Sequence, residues 1–154
     1  MSSFPTDSPE VSAASLRFSA MNCLARREHS AEELRQKLRR RCDDENLIEQ
    51  VVAQLRKDKL QCDERYAEAF MTMRIRQGKG PVRIAQELRQ KGVSEELLSA
   101  LLDPSDSLWW DLAREVRERR FGGERPESPK DKAKQMRFLQ YRGFTSDQIR
   151  TLFP

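Results

Sequence analysis

Leu88-Arg89-Gln90-Lys91-Gly92-Val93-Ser94 and Leu139-Gln140-Tyr141-Arg142-Gly143-Phe144-Thr145 are the same phrase written twice, fifty-one residues apart. In each, a leucine opens a run of long side chains suited to a helix. A glycine then stands where the chain must reverse, and an apolar residue and a hydroxyl residue follow. Glycine takes the left-handed conformation at a helix C-terminus without a Cβ penalty, and Ser or Thr begins the next helix by accepting a free backbone N–H. Both phrases lead into a short apolar helix, Leu97-Leu98-Leu101-Leu102 in one case and Ile149-Leu152-Phe153 in the other. Thr145 with Gln148 forms a capping box. The phrase therefore predicts two helices meeting at a tight turn.

Working outward, a shift of fifty residues aligns a further copy. Leu16, Ala20 and Cys23 fall over Tyr66, Phe70 and Met73; Leu34 and Leu38 fall over Ile84 and Leu88; Leu47 and Val51 fall over Leu97 and Leu101. Each series has the spacing of one helical stripe. Helix starts coincide as well. Ser30 with Glu33 makes a capping box, matched by Gly80 before Pro81, and Asp44 is matched by Ser94. Cys42 takes the place of the turn glycine in the first copy, so that turn must differ or carry roughly 1 kcal/mol of strain.

Alternating strand patterns are absent. The expected fold is all-α, an elongated array of three tandem three-helix repeats. The boundaries follow from the punctuation: a flexible tail over 1–12 rich in Ser and Pro, repeat one over 13–60, repeat two over 61–103, and repeat three over 104–154 with a mobile loop at 122–130. Apolar residues make up 37% of the chain and charged residues 35%, which suits helices with much solvated surface better than a large spherical core.

Composition also narrows the chemistry. Three widely spaced cysteines, Cys23, Cys42 and Cys62, argue against a disulfide framework or a zinc site. No apolar run approaches the length of a membrane span, and no signal peptide is visible, so a soluble cytoplasmic protein without membrane contact is expected; a monomer is expected as well. The single histidine, His29, precedes the Ser30 cap and reads as a solvated loop residue rather than a catalytic base. Gly78-Lys79-Gly80 lacks the spacing of a phosphate loop and reads as a loop and helix start. Carboxylates such as Asp43, Asp44, Glu45, Asp63 and Glu64 gather at helix starts, where they complement the dipole. No catalytic, metal or cofactor residues emerge, and a binding protein is expected rather than an enzyme.

Twenty-nine basic residues against 25 acidic ones leave a net charge of +4, which permits a nucleic-acid partner without requiring one. Five cations crowd into residues 35–41, and Arg74, Arg76, Lys79 and Arg83 surround Gly78. Solvated helix faces and contacts to phosphate or acidic protein are both open readings of these runs. Trp109 fits a core stripe with Leu112 and Val116, while Trp110 is left open between packing and contact.

The strings Leu24-Ala25-Arg26-Arg27-Glu28-His29-Ser30-Ala31-Glu32-Glu33-Leu34, Asp63-Glu64-Arg65-Tyr66-Ala67, Gly78-Lys79-Gly80-Pro81-Val82-Arg83-Ile84, Glu87-Leu88-Arg89-Gln90-Lys91-Gly92-Val93 and Phe138-Leu139-Gln140-Tyr141-Arg142-Gly143-Phe144 resemble the bacterial RecX regulatory family over residues 14–153. Tyr66 stands where phenylalanine is usual, and Cys42 where glycine is frequent. The resemblance implies tandem three-helix repeats that lie along the RecA filament on single-stranded DNA. It implies restraint of the filament's ATPase, strand exchange and co-protease activity, and through these an effect on recombination and the SOS response. RecA and the DNA within its filament are the implied partners, with free DNA an open alternative and no cofactor. Arg26, Arg27, Arg74, Arg76, Lys79 and Arg83 are the candidate RecA or DNA contacts. Two other classes stay in view: a stand-alone nucleic-acid-binding helical module, and a helical-repeat protein adaptor.

Overall fold

The structure, a computed structural model, describes residues 11–154. Among the described residues the chain forms nine helices and no strand: α1 Ala13–Arg26, α2 Ala31–Arg39, α3 Glu45–Lys57, α4 Asp63–Arg76, α5 Pro81–Gln90, α6 Glu95–Leu101, α7 Ser107–Phe121, α8 Pro129–Arg142 and α9 Ser146–Arg150. The all-α fold of three tandem three-helix units is thus present. Most of the expected tail lies outside the described residues. Its last two members are folded: Val11 packs against the first core, and Ser12 caps α1 by accepting from the Ser15 N–H. The expected loop at 122–130 is also shorter, because Ser128 caps α8 and Pro129 is already helical.

Helix starts follow the caps read from sequence. Ser30 and Thr145 form complete capping boxes, and Asp44 and Ser94 accept from the Leu47 and Leu97 N–H groups. Each such cap stabilises its helix by about 1 kcal/mol. The turn glycines behave as expected too. Gly92 has φ 81°, the Val93 N–H reaches back to the Leu88 carbonyl at 3.1 Å, and the Gly92 N–H reaches Arg89 at 3.0 Å. Gly143, at φ 101°, repeats this pattern with Phe144 to Leu139 and Gly143 to Gln140. These paired bonds satisfy carbonyls that a helix end leaves orphaned.

At Cys42 the turn differs instead of straining. No positive φ occurs there, and the Cys42 N–H donates to Leu38 O at 3.1 Å, adding one more α-type bond. The strained position lies one turn later. Lys59 closes α3 at φ 61°, the one non-glycine residue with positive φ among those described.

Contacts divide the chain into two compact bodies, one ending at Asp63 and the other spanning Glu64–Pro154. The first holds α1–α3 around Leu16, Leu34, Leu38, Ile48, Val52 and Leu55. The second holds the other helices around a single core that includes Tyr66, Ile84, Leu88, Trp109, Leu139 and Phe153. The second and third three-helix units therefore share one interior. Burial of each such side chain contributes about 1.5–3 kcal/mol.

The fifty-residue register holds, but its phase needs correction in the third helix of each unit. Ile48 and Val52 are fully buried and match Leu98 and Leu102, whereas Leu47, Leu97 and Leu101 are only partly covered. Apolar residues occur there in adjacent pairs, and a period of 3.6 lets either member head the stripe. Met73, expected in the α4 stripe, is 44% exposed, and Tyr66, Ala67 and Phe70 carry that face. Trp109 is buried, with its indole N–H donating to Asp103 O at 2.9 Å, and Trp110 packs at the edge of the same core.

Candidate interaction surface

His29 corrects the sequence reading. It is 2% exposed rather than solvated. Its Nε2 lies 3.2 Å from the Lys37 ammonium, which has only donors, so Nε2 must accept; Nδ1 then carries the proton and donates to Arg27 O at 3.0 Å. Burial is the main cause holding the imidazole below its ordinary pKa, and the Arg27 and Lys37 charges add to it. Nearby, Gln61 donates to His29 O at 3.1 Å and to Asp63 at 2.8 Å, and Asp63 accepts from the Ala31 N–H at 2.9 Å. The residue is a structural knot between helices, hidden from solution, and unsuited to act as a base.

Two candidates, Arg26 and Arg27, belong to this first body. Arg26 is exposed in the last turn of α1, where a cation suits the dipole. Arg27 grips both oxygens of Glu33 at 3.1 and 2.9 Å, and Glu33 in turn completes the Ser30 box. In the basic run over 35–41, Arg35 and Arg39 are tied to Glu32 of α2 and to Glu45 and Glu49 of α3, a network that bridges the two helices.

The second body brings Arg74, Lys79 and Arg83 together, and the glycines explain how. Gly80 caps α5 without any side-chain bond. Its N–H donates to Arg142 O at 2.8 Å, and the Val82 N–H donates to Gly143 O at 2.9 Å. A Cβ on Gly80 would lie 2.4 Å from the Gly143 carbonyl carbon, and one on Gly143 would lie 2.4 Å from Arg83 Cβ. Gly80 is therefore required by a close backbone crossing as well as by its place before Pro81. The turn before α5 and the turn after α8 are clasped together.

That clasp gathers four cations, two of them paired with one carboxylate. Glu87 sits 2.9 Å from Arg74 Nε and 3.5 Å from Arg83 Nε. Arg74 Nε and Glu87 Oε2 are buried and make no other bond, so each is satisfied only by the opposite charge. Arg142 Nη1 donates to Gln77 O at 2.9 Å across the clasp. Desolvation, and then the charges of Arg142, Arg83 and Arg74, push the Lys79 ammonium below the usual lysine range. Beside them Tyr141 is 74% exposed, with the Arg83 guanidinium 5.4 Å from its ring centre. Arg76, the remaining candidate, is exposed in the last turn of α4 and takes no part in this cluster.

Arg142 and Tyr141 escaped sequence reading. They stand in the third copy of the phrase, sixty-five residues from Gln77, and only the clasp brings them to the Gly78 loop. A surplus of cations beside a bare aromatic ring can hold phosphates by charge and a flat ring by stacking. It offers no nucleophile paired with a base. Among the described residues no His, Cys, Asp and Glu side chains converge as a metal site, the three thiols are unpaired, and no helix is long and apolar enough to cross a membrane.

Three family profiles, described as the first, second and third three-helix domains of RecX, match residues 17–55, 63–102 and 106–153. The chain is 46% identical over 143 residues to regulatory protein RecX of Halorhodospira halophila, covering 92% of this chain and 89% of that protein. It is 42% identical over 134 residues to regulatory protein RecX of Pseudomonas putida, covering 87% and 86%. The crystal structure of RecX from Lactobacillus salivarius superposes with a TM-score of 0.77 at 23% identity over 91% of this chain and 93% of that one, a likeness of fold. Three consecutive domain matches and relatives of this identity along nearly the whole chain show that it belongs to the RecX family of regulatory proteins.

Proposed function

We propose that this protein binds the RecA filament on single-stranded DNA and restrains its ATPase, strand exchange and co-protease activity, and that the clasped turns of the second body carry part of the contact. The observation that supports this reading is the gathering of Arg74, Lys79, Arg83 and Arg142 at the clasp, with Arg74 and Arg83 paired to Glu87, next to the exposed Tyr141 ring. Such a surface attracts a phosphate backbone without regard to sequence, and an exposed ring stacks on any unpaired base. The protein acts by occupying the filament and opposing its rearrangement.

Reversing every arginine is a poor test, since Arg74 and Arg83 hold Glu87 and a glutamate at either position would face it. Lys79→Glu combined with Tyr141→Ala avoids that conflict, because neither side chain makes a hydrogen bond or ion pair among the described residues. RecA's DNA-dependent ATPase, strand exchange and plain single-stranded DNA binding are measured beside helicity. The folded double variant should inhibit at least about tenfold less well, equivalent to roughly 1.4 kcal/mol. Inhibition by the parent should weaken as salt shortens the Debye length from about 10 Å at 0.1 M to roughly 3 Å at 1 M. A folded variant that inhibits like the parent removes this surface from the mechanism. Loss of DNA binding with inhibition intact points to a protein contact elsewhere, and parental DNA binding with no effect on RecA at all supports the stand-alone module.

A further inference from the structure

Arg117 of α7 is 8% exposed, and no carboxylate pairs with it among the described residues. Its Nε donates to Gln135 Oε1 at 3.0 Å and its Nη2 to Glu124 O at 2.9 Å, and the Phe153 ring covers one face with its centre 4.6 Å away. Among the described residues nothing accepts from Nη1 or from the second hydrogen of Nη2. A buried cation without a counter-charge is costly. Here the cost is maintained by a neutral spacer: Gln135 turns its carbonyl to Arg117 and its amide N–H to Asp131 Oδ2, 3.2 Å away, so the nearest carboxylate in this network is held one side chain off.

Arg117 lines a cleft of about 600 Å³ beside the turn between α7 and α8, within the size range of ligand pockets. With Arg125 and Lys132 the lining carries three cations, against the carboxylates of Glu127 and of the Pro154 terminus. The remaining wall includes Phe153 and the rigid rings of Pro126 and Pro129. Neither the basic runs nor the family motif pointed to this place.

We propose that this cleft is a docking site for an acidic segment of a partner polypeptide, with a glutamate side chain entering to meet the open donors of Arg117. The charge excess selects an anion, and the unspent edge of the guanidinium suits the two oxygens of a carboxylate. The apolar part of the lining selects the glutamate. Leu152, Phe153 and the rings of Pro126 and Pro129 offer a wall that the methylene stem of a glutamate and an apolar neighbour can cover and that a nucleic-acid phosphate cannot use. The methylenes of that stem, and an apolar neighbour, then lie against Phe153 and the prolines.

The test is a titration of the full chain into a fluorescein-labelled peptide of alternating Glu and Leu, followed by anisotropy, with the Gln/Leu peptide, labelled oligothymidylate and inorganic phosphate in parallel. The Glu/Leu peptide should bind at least about tenfold tighter than its Gln/Leu counterpart, the difference expected of one charge-assisted bond. Gln135→Glu supplies Arg117 with an internal carboxylate and should abolish that preference while helicity is retained. Lys132→Glu, at an exposed rim position, should weaken the peptide by severalfold and decides the matter if the Gln135 variant does not fold. Equal binding of both peptides, or an unchanged preference in folded Gln135→Glu and Lys132→Glu, overturns the proposal. So does tighter, Arg117-dependent binding of phosphate or oligothymidylate, which would make the cleft a phosphate site. Because the Lys79 and Tyr141 variant leaves this cleft intact, failure here and failure of the RecA reading are separable.

Discussion

At Lys59 and Gly92 the same backbone conformation is filled by opposite choices. Both close a helix at positive φ, 61° and 81°, where a Cβ costs about 1–2 kcal/mol. Lys59→Gly should therefore stabilise the first body by about 1 kcal/mol, and Gly92→Val should destabilise the second by more than about 1 kcal/mol; urea unfolding of each variant measures both. His29 gives a residue-level test of pH. Its folded pKa lies below the ordinary value near 6.5, so between the two the unfolded chain binds a proton that the folded chain refuses. Its contribution is fully present above about pH 6.5 and is lost as pH falls towards the folded value. Stability should drop as pH falls below about 6.5 in the parent, and the slope should flatten in His29→Gln. Equal slopes would mean that the imidazole is not the group responsible.

Caps and turns were the most legible elements, because each depends on residues within a few positions of one another: Ser30 with Glu33, Thr145 with Gln148, Gly92 with Leu88 and Val93. Three-helix periodicity was legible for the same reason. What stayed hidden depends on distant chain. His29 looked like a loop residue until Lys37 and Gln61 closed over it, and Gly80 looked like a cap until Gly143 was seen crossing it. Arg142 joined the basic cluster only through that crossing. Glycine substitutions separate the two kinds of requirement. Gly80→Ala drives a Cβ to within 2.5 Å of the Gly143 carbonyl oxygen and should cost about 1–3 kcal/mol, since backbone must move. Gly123→Ala finds its nearest neighbour 4.0 Å away and should raise stability by about 0.5 kcal/mol through the unfolded chain. Thermal unfolding of the pair shows whether the crossing is as tight as described.

For the whole molecule, the sequence suggests three equivalent units, whereas the interior is divided in two. A fragment covering residues 11–63 carries its own core and should fold alone, as should one covering 62–154. A fragment of 62–103 should not, although it contains a complete family domain and three helices, because Tyr66, Ile84 and Leu88 depend on Trp109, Leu139 and Phe144 for cover. Circular dichroism and one-dimensional proton spectra of the three fragments check this. Cooperative folding of 62–103 would mean that the shared interior is dispensable. The charge surplus is placed where the interior is shared, so the proposed contact surface exists only once both later units have folded.

The clasp between Gly80 and Arg142 also bears on time. Amides in surface loops normally trade their hydrogens with water in the absence of any larger opening, while those locked deep in a core wait for global unfolding. The Gly80 and Val82 amides sit at a helix start, yet both donate to carbonyls on the far turn at 2.8 and 2.9 Å. They should exchange as slowly as core amides such as Leu88, and Gly80→Ala should release Val82 first. In deuterium these two positions then act as a clock, recording how often α5 and α8 part company.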